Sequence, residues 1–312
     1  QGKQVSEQLM RSNPVLEAFG NAKTVRNDNS SRFGKLVTLH FGNGSQLAYG
    51  SVQQYLLEKT RVVQQAQGEQ TYHAFYHLAL GASAALRKEL QLGDVGKALS
   101  NFRYFNCSMD AKTGPGRVGA VQAEFAQTHA ALVSLAGAGA TGEATAKSFW
   151  RILGGILHLG QLQFAEGTRP GEAALEEATR PSILLAASML GISDATLLEY
   201  ALCNRTIGGS RSPRTAREAG AARDALAKVF YEGLFEELVS IVNGALKPPE
   251  AHHDVSGSSG ARIGLLDIFG SEVFEKNRFE QLLINYANDK LQNHFKQATV
   301  GKVKELYDRE EI

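Results

Sequence analysis

Ala222, Leu226, Val229, Phe230, Gly233, Leu234, Leu238, Ile241 and Val242 recur at intervals of three and four, which places one apolar stripe along a single long helix. Asn243-Gly244 and then Pro248-Pro249 mark its expected end. Such a stripe has to be buried against a core of matching size. With 312 residues and 43% hydrophobic content the chain can supply one, and it is too long for a single small domain.

Upstream of the stripe the pattern is mostly helical from residue 72 onward. Tyr72 to Leu80 reads as a helix, and so does Pro181 to Leu190 with Gly191 behind it. Nearer the start, Ser12 reads as an N-cap and Pro14 as part of the first turn of a short helix over Val15, Leu16 and Phe19, closed by Gly20. Leu36, Thr38 and His40 then alternate against Val37, Leu39 and Phe41. Gly42-Asn43-Gly44 turns that strand into a second at Gln46 to Tyr49. Tyr55 to Val63 reads as another strand, and Gly68 to Thr71 as a polar link. Beyond the stripe, His252 to Gly260 is a Ser/Gly linker whose adjacent histidines favour a surface loop over a metal site. Arg262 to Ile268 is a short apolar strand. Phe279 to Ala298 is a long amphipathic helix with Phe279, Leu283, Tyr286 and Leu291 on or near one face. No fixed-period repeat stands out.

The 33 basic and 32 acidic residues nearly cancel, so nothing in the charge balance calls for nucleic acid or an anionic membrane. Cys107 and Cys203 form no disulfide framework and no metal-binding spacing, which favours a reducing compartment. The run Ile152 to Leu159 is too short to span a bilayer, and the first ten residues resemble no signal peptide, so the chain reads as cytosolic. It opens on Gln1 and stops at Ile312 just after a helical pattern, as an internal fragment would.

Two polar stretches border strands. Asn27-Asp28-Asn29-Ser30-Ser31-Arg32-Phe33-Gly34-Lys35 brings together an amide, two adjacent hydroxyls and a guanidinium, a set suited to phosphate oxygens, a hard cation and a carboxylate. By composition alone, a solvated turn is the commoner reading. The second stretch, Asp267-Ile268-Phe269-Gly270-Ser271-Glu272, tips the balance by adding an acid, a glycine and a second carboxylate. Together they fit paired switch segments that close over a nucleotide γ-phosphate. A Ser hydroxyl can ligate Mg²⁺, an Asp at a strand end can hold one of its waters, and a Gly leaves its N–H open to a phosphate oxygen. Arg32 and Glu272 can meet as a bidentate pair, although each taken singly reads as half of an ordinary surface pair.

No G-x-x-x-x-G-K-[ST] occurs. Gly137 to Gly142 is followed by Glu143 and Ala144, which would repel phosphate. Gly114-Pro115-Gly116-Arg117-Val118-Gly119 matches G-x-G-x-x-G but contains Pro and follows no strand, so a surface loop is expected there.

These residues resemble one family, the myosin motor domain. Asn13 to Thr24 running into Asn29 to Lys35 resembles its switch I with the preceding helix. Leu266 to Gly270 with Phe279-Glu280-Gln281-Leu282-Leu283-Ile284-Asn285-Tyr286-Ala287-Asn288 resembles switch II and the relay helix. Between them Tyr55 to Val63, Ile152 to Gly160 and Arg223 to Lys228 look like family signatures in the family's order, so the resemblance covers nearly the whole chain.

The resemblance implies an α/β fold of the P-loop NTPase type, with a mostly helical upper 50-kDa region around a few strands of the central transducer sheet. It implies a switch I and transducer segment over 1–63, a helical subdomain over 64–250 with the cardiomyopathy loop near 200–220, a linker over 251–261, and switch II with the relay helix over 262–312. Carried over by position, Asn27 and Ser30 would contact the γ-phosphate or lytic water, and Ser31 would ligate Mg²⁺ with Asp267 beside it. Gly270 would donate its N–H to the γ-phosphate, and Arg32 with Glu272 would form the gate. Gly208, Ser210, Arg211 and Ser212 would lie in the actin-contacting loop. The implied activity is an actin-activated ATPase with Mg²⁺ and ATP, located on the actin cytoskeleton in the cytoplasm. Light chains or calmodulin would bind a lever arm outside this stretch.

Four positions depart from the family pattern: Asp28 for Asn, Ser271 for Phe, Arg278 for Ser, and Gly208 where an acidic or phosphorylatable residue is usual. Ser271 puts hydrolysis or its coupling in question, and Gly208 implies either weaker actin affinity or substitution by the nearby Ser210 and Ser212, the first being favoured. These two also suggest a rival role as a myosin-like actin- or nucleotide-binding scaffold. The P-loop is expected before Gln1, so the isolated stretch is expected to bind Mg·ATP too weakly to measure at micromolar concentration.

Overall fold

The computed structural model describes residues 2–42, 46–105, 115–247, 261–273, 277 and 279–311. It separates into two compact units, Gln1–Leu266 and Asp267–Ile312. The larger unit starts with α1 (Gly2–Gly20), β1 (Asn21–Ala22), β2 (Ser30–Ser31), β3 (Gly34–Phe41) and β4 (Leu47–Tyr55). Three short helices follow, α2 (His73–Tyr76), α3 (Ala84–Glu89) and α4 (Val95–Asn101), and then the longer α5 (Pro115–Leu135) and α6 (Ala140–Gly160). Next come β5 (Phe164–Glu166), β6 (Ala173–Leu175), α7 (Arg180–Met189), α8 (Ala195–Cys203), β7 (Asn204–Ile207), β8 (Ser210–Pro213), α9 (Ala216–Leu246) and β9 (Arg262–Asp267). The smaller unit carries α10 (Phe279–Lys296) and α11 (Lys302–Glu310), joined by a π-helical turn at Gln297–Gly301.

α9 is the axis of the larger unit. It is longer than its apolar stripe suggests, because Thr215 caps it in a capping box with Glu218 and it runs through Asn243 and Gly244. Asn243 does not end the helix. Its side-chain amide pairs with both backbone groups of Val52, Oδ1 accepting from N at 2.7 Å and Nδ2 donating to O at 2.9 Å, and so ties α9 to β4. The buried face is also rotated from the expected one. Ala219, Arg223, Ala227, Tyr231, Leu234, Leu238, Val242 and Leu246 are buried, whereas Val229 is 60% exposed. Arg223 and Tyr231 are not members of the apolar stripe. They lie inside because their polar ends are bonded: Arg223 Nη1 donates to Leu162 O at 2.5 Å, and Tyr231 Oη to Phe19 O at 2.6 Å.

Aromatic contacts join the elements around that axis. Tyr231 stacks on Tyr72 at 4.7 Å, Phe235 meets Phe33 edge-on at 4.9 Å, and Phe19 packs on Phe149 and Trp150 at 5.8 Å. In the three-stranded sheet the order is β4-β3-β9, and β3 pairs antiparallel with β4 from Gly34↔Tyr55 to His40↔Tyr49.

Several local expectations change. Pro14 lies inside α1, not at its start, and Ser12 bonds back to Leu9 O at 2.7 Å instead of capping. Tyr55 to Val63 is not a strand: β4 ends at Tyr55, Leu56 has φ +53°, and Lys59–Val62 forms a 3₁₀ turn. That turn carries Arg61 inward onto buried carboxylates, which a straight strand would not do. Pro115 to Gly119 opens α5 instead of forming a loop, with Pro115 at a first-turn position where no backbone donor is lost. Gly137 and Gly139, with φ of +96° and +82°, make the turn into α6. In α10 the expected apolar face is exposed at Phe279, Leu283, Tyr286 and Leu291, and Ile284 with Gln281 is buried instead. Asn43, Gly44, Cys107, Gly114, the 252–260 linker and Arg278 fall outside the described residues.

Candidate functional site

The first polar stretch is a loop closed by a very short ladder. Asn21 pairs with Ser31 and Ala22 with Ser30, so β1 and β2 fix both hydroxyl residues directly beyond the end of α1. Gly20 makes this geometry possible. A Cβ there would stand 2.2 Å from the Phe33 ring, and its carbonyl accepts from Arg32 N at 2.8 Å. Within the loop, Thr24 N and Oγ1 both donate to Asn27 O, at 2.8 and 3.1 Å. Asn27 Oδ1 accepts from Asn29 N at 2.9 Å, an Asx turn. Asp28 faces solvent and pairs with Lys23 at 3.3 Å.

The donors in this loop are unevenly spent. Asn27 Nδ2 has no partner among the described residues. Ser30 Oγ accepts from Arg32 Nη1 at 3.2 Å, which leaves its own proton available. Ser31 Oγ donates to Phe33 O at 2.9 Å, which leaves its lone pairs for a cation. This is the chemistry an anion with a hard metal ion would meet. Among the described residues no group of three or more His, Cys, Asp or Glu could hold a metal. Mg²⁺ does not need such a cluster, because it usually keeps several waters and takes substrate phosphates beside one or two protein ligands.

Arg32 is not half of a surface pair. It is 1% exposed, and its Nε meets Glu58 Oε2 at 2.6 Å. The same carboxylate receives Arg61 at 2.7 Å, and Arg61 reaches Glu69 at 3.0 Å. Tyr72 Oη donates to Glu58 O at 2.9 Å, and Glu58 N to Arg32 O at 3.0 Å. Burial alone would raise the Glu58 carboxyl, but the guanidiniums of Arg61 and Arg32 outweigh it and hold the group below the usual carboxylate range. Glu58, Arg61 and Glu69 thus form a charged wall behind the loop. Charge pattern did not single them out, and the clue was the Glu58-Lys59-Thr60-Arg61 run inside an otherwise apolar segment.

The second stretch lies in the smaller unit, where amides of α10 hold its backbone. Asn285 Oδ1 accepts from Glu272 N and Asn285 Nδ2 donates to Glu272 O, both at 2.8 Å. Asn288 Nδ2 donates to Phe269 O at 2.8 Å and to Ile284 O at 2.9 Å, and Gln281 Nε2 reaches Glu272 Oε2 at 3.4 Å. Positions 281, 285 and 288 lie on one helix face, so the loop carrying Glu272 is attached to α10 through polar bonds. Gly270 and Ser271 are exposed, and nothing stands within 4 Å of where a Cβ on Gly270 would be. Asp267 ends β9.

The remaining candidates sit on the β7/β8 hairpin. Gly208 and Gly209, with φ of +55° and +80°, form its two-residue turn, the backbone that a tight hairpin of this twist requires. Ser210 is exposed and Ser212 half-buried. Arg211 lies along the hairpin, its Nε donating to Asn204 Oδ1 at 2.7 Å and its guanidinium 5.0 Å from the Tyr200 ring centre.

Comparison with known proteins shows the family. The model of the myosin head (motor domain) family matches residues 1–312. The chain is 40% identical over 321 residues to myosin IE heavy chain of Dictyostelium discoideum, covering 100% of this chain and 30% of that protein. It is 38% identical to unconventional myosin-VI of Mus musculus, covering 99% and 26%. It is 41% identical to myosin heavy chain IB of Acanthamoeba castellanii, covering 97% and 25%. The chain therefore spans less than a third of the length of these relatives. None of its described helices is long and apolar enough to cross a membrane.

Proposed function

This chain belongs to the myosin head (motor domain) family, and we propose that it is the part of an actin-based motor that closes over Mg·ATP and passes the closure to a long helix. The unspent donors of the first loop are the observation that carries the proposal: Asn27 Nδ2 and the Ser30 hydroxyl proton for phosphate oxygen or lytic water, and the Ser31 lone pairs for the metal. Mg²⁺, when bound, neutralises charge on the phosphates. Asp267 would orient one of the metal's waters, and Gly270, with open space where a Cβ would stand, would offer its N–H to the γ-phosphate. Arg32, set by Glu58, and Glu272, set by Asn285, would form the gate. The α10–α11 helix would relay its state, and its π-helical turn at Gln297–Gly301 is a feature often found where a helix changes course for function.

The complete protein is proposed to be an actin-activated ATPase of the cytoplasmic actin cytoskeleton, with light chains or calmodulin on a lever arm and the Gly208–Ser212 tip among its actin contacts. The proposed segments are a switch I and transducer region over 1–63, a helical subdomain over 64–250, a linker over 251–261 and a switch II and relay region over 262–312. The 312 residues contain no G-x-x-x-x-G-K-[ST], so alone they are expected not to bind Mg·ATP detectably at micromolar concentration. Co-sedimentation of the complete protein with actin filaments tests the reading. Binding without nucleotide and release by Mg·ATP is expected, and binding indifferent to Mg·ATP would refute it.

Ser271 favours a second reading, a scaffold that binds actin or nucleotide without cycling, because its exposed hydroxyl offers no apolar contact to define a closed loop. Ser271→Phe in the complete protein separates the two. A large rise in ATPase marks an impaired motor, and an absent ATPase that stays absent supports the scaffold.

A further inference from the structure

Asn29 is exposed, yet its polar groups are almost fully engaged. Its Oδ1 accepts from Asn21 Nδ2 at 3.0 Å and lies 3.1 Å from His73 Nε2, which as a donor fills the second lone-pair site. Its Nδ2 donates to Glu17 Oε2 at 3.3 Å and its N–H to Asn27 Oδ1 at 2.9 Å. One short side chain thereby joins α1, β1 and α2 to the loop, immediately before Ser30. No buried apolar residue in the loop does the same work: Val25 is exposed, and the Lys23–Asp28 pair faces solvent. Unlike Asn27, Asn29 has little left to offer a ligand. We propose, on the functional reading above, that Asn29 is a positioning residue which sets the Ser30 and Ser31 hydroxyls for the nucleotide and its metal, with Glu17, Asn21 and His73 as its anchors.

A side chain so exposed adds little to the core, so its loss should loosen the loop without unfolding the unit. Asn29→Ala in the complete, nucleotide-free protein is expected to raise amide exchange of residues 29–32 about tenfold or more, with a melting shift of at most about 4 °C. The Mg²⁺ concentration that half-saturates binding of a fluorescent ATP analogue should rise about tenfold, as when a residue supporting a metal ligand is removed. Glu17→Ala should move both readings in the same direction by less. Glu17→Gln, which keeps an acceptor for Asn29 Nδ2, should stay near wild type. Unchanged exchange and Mg²⁺ dependence in Asn29→Ala would overturn the proposal, and so would faster exchange across the whole larger unit with a matching fall in melting temperature. If the unaltered protein fails to bind Mg·nucleotide, the functional reading falls, while the exchange measurement still decides whether Asn29 anchors the loop.

Discussion

Glu58→Gln is the substitution whose outcome the structure constrains most tightly. The side chain keeps its size and one acceptor oxygen but loses the charge shared by Arg32 at 2.6 Å and Arg61 at 2.7 Å. Both guanidiniums are buried, at 1% and 4% exposure, so neither can turn to water without opening the fold. Breaking a buried pair by removing one partner costs about 3–5 kcal/mol. Glu69 still compensates Arg61 at 3.0 Å, which puts the expected loss near the lower end, about 3 kcal/mol. Thermal and urea unfolding of the complete protein and the variant at neutral pH would measure it. The pH dependence supplies a second check. The folded carboxyl titrates below its ordinary value of 4.5, so its stabilisation is complete above that pH and is lost as pH falls through the depressed folded value. The gap between the two proteins should therefore narrow in acid. A gap under about 1 kcal/mol at neutral pH, or one that stays constant into acid, would refute the reasoning, because an exposed pair behaves that way.

Three further outcomes follow from single contacts. Gly20→Ala drives a methyl into the Phe33 ring and should destabilise the larger unit by about 1–3 kcal/mol, read by urea unfolding; a neutral result would mean that the ring moves freely. Asn285→Ala removes two bonds to the Glu272 backbone, and at about 1 kcal/mol each the Glu272 amide should exchange roughly thirtyfold faster. His77 is pushed down to about 3, first by burial and then by His73, despite Glu124 at 3.3 Å, because that carboxylate is 55% exposed and well solvated. Its neutral form is favoured on folding, so stability should rise with pH between about 3 and 6.5, and His77→Gln should flatten that slope in acid unfolding curves.

The elements set by local spacing were readable in the sequence, and those set by buried polar groups were not. The β3/β4 hairpin, the α7 helix and the existence of α9 followed from alternation or from three-and-four recurrence. The rotation of α9 was hidden because Arg223 and Tyr231 count as surface residues until their bonds to Leu162 and Phe19 are known. The same blindness made a strand of Tyr55 to Val63, where Arg61 turns inward. At the candidate site, the Asn27–Arg32 stretch and Asp267–Glu272 were visible as chemistry. The contacts made by Glu58, Asn285 and Asn288 were not, since spacing does not encode them. In α10, apolar recurrence marked the helix, while Leu283 and Tyr286 on its apolar face are exposed.

The most direct test of the proposed motor function is steady-state Mg·ATPase of the complete protein with and without actin filaments, measured beside Arg32→Ala. Turnover that rises with actin in the unaltered protein and is abolished in the variant is the predicted result. No turnover under either condition, or turnover that survives Arg32→Ala unchanged, would contradict it.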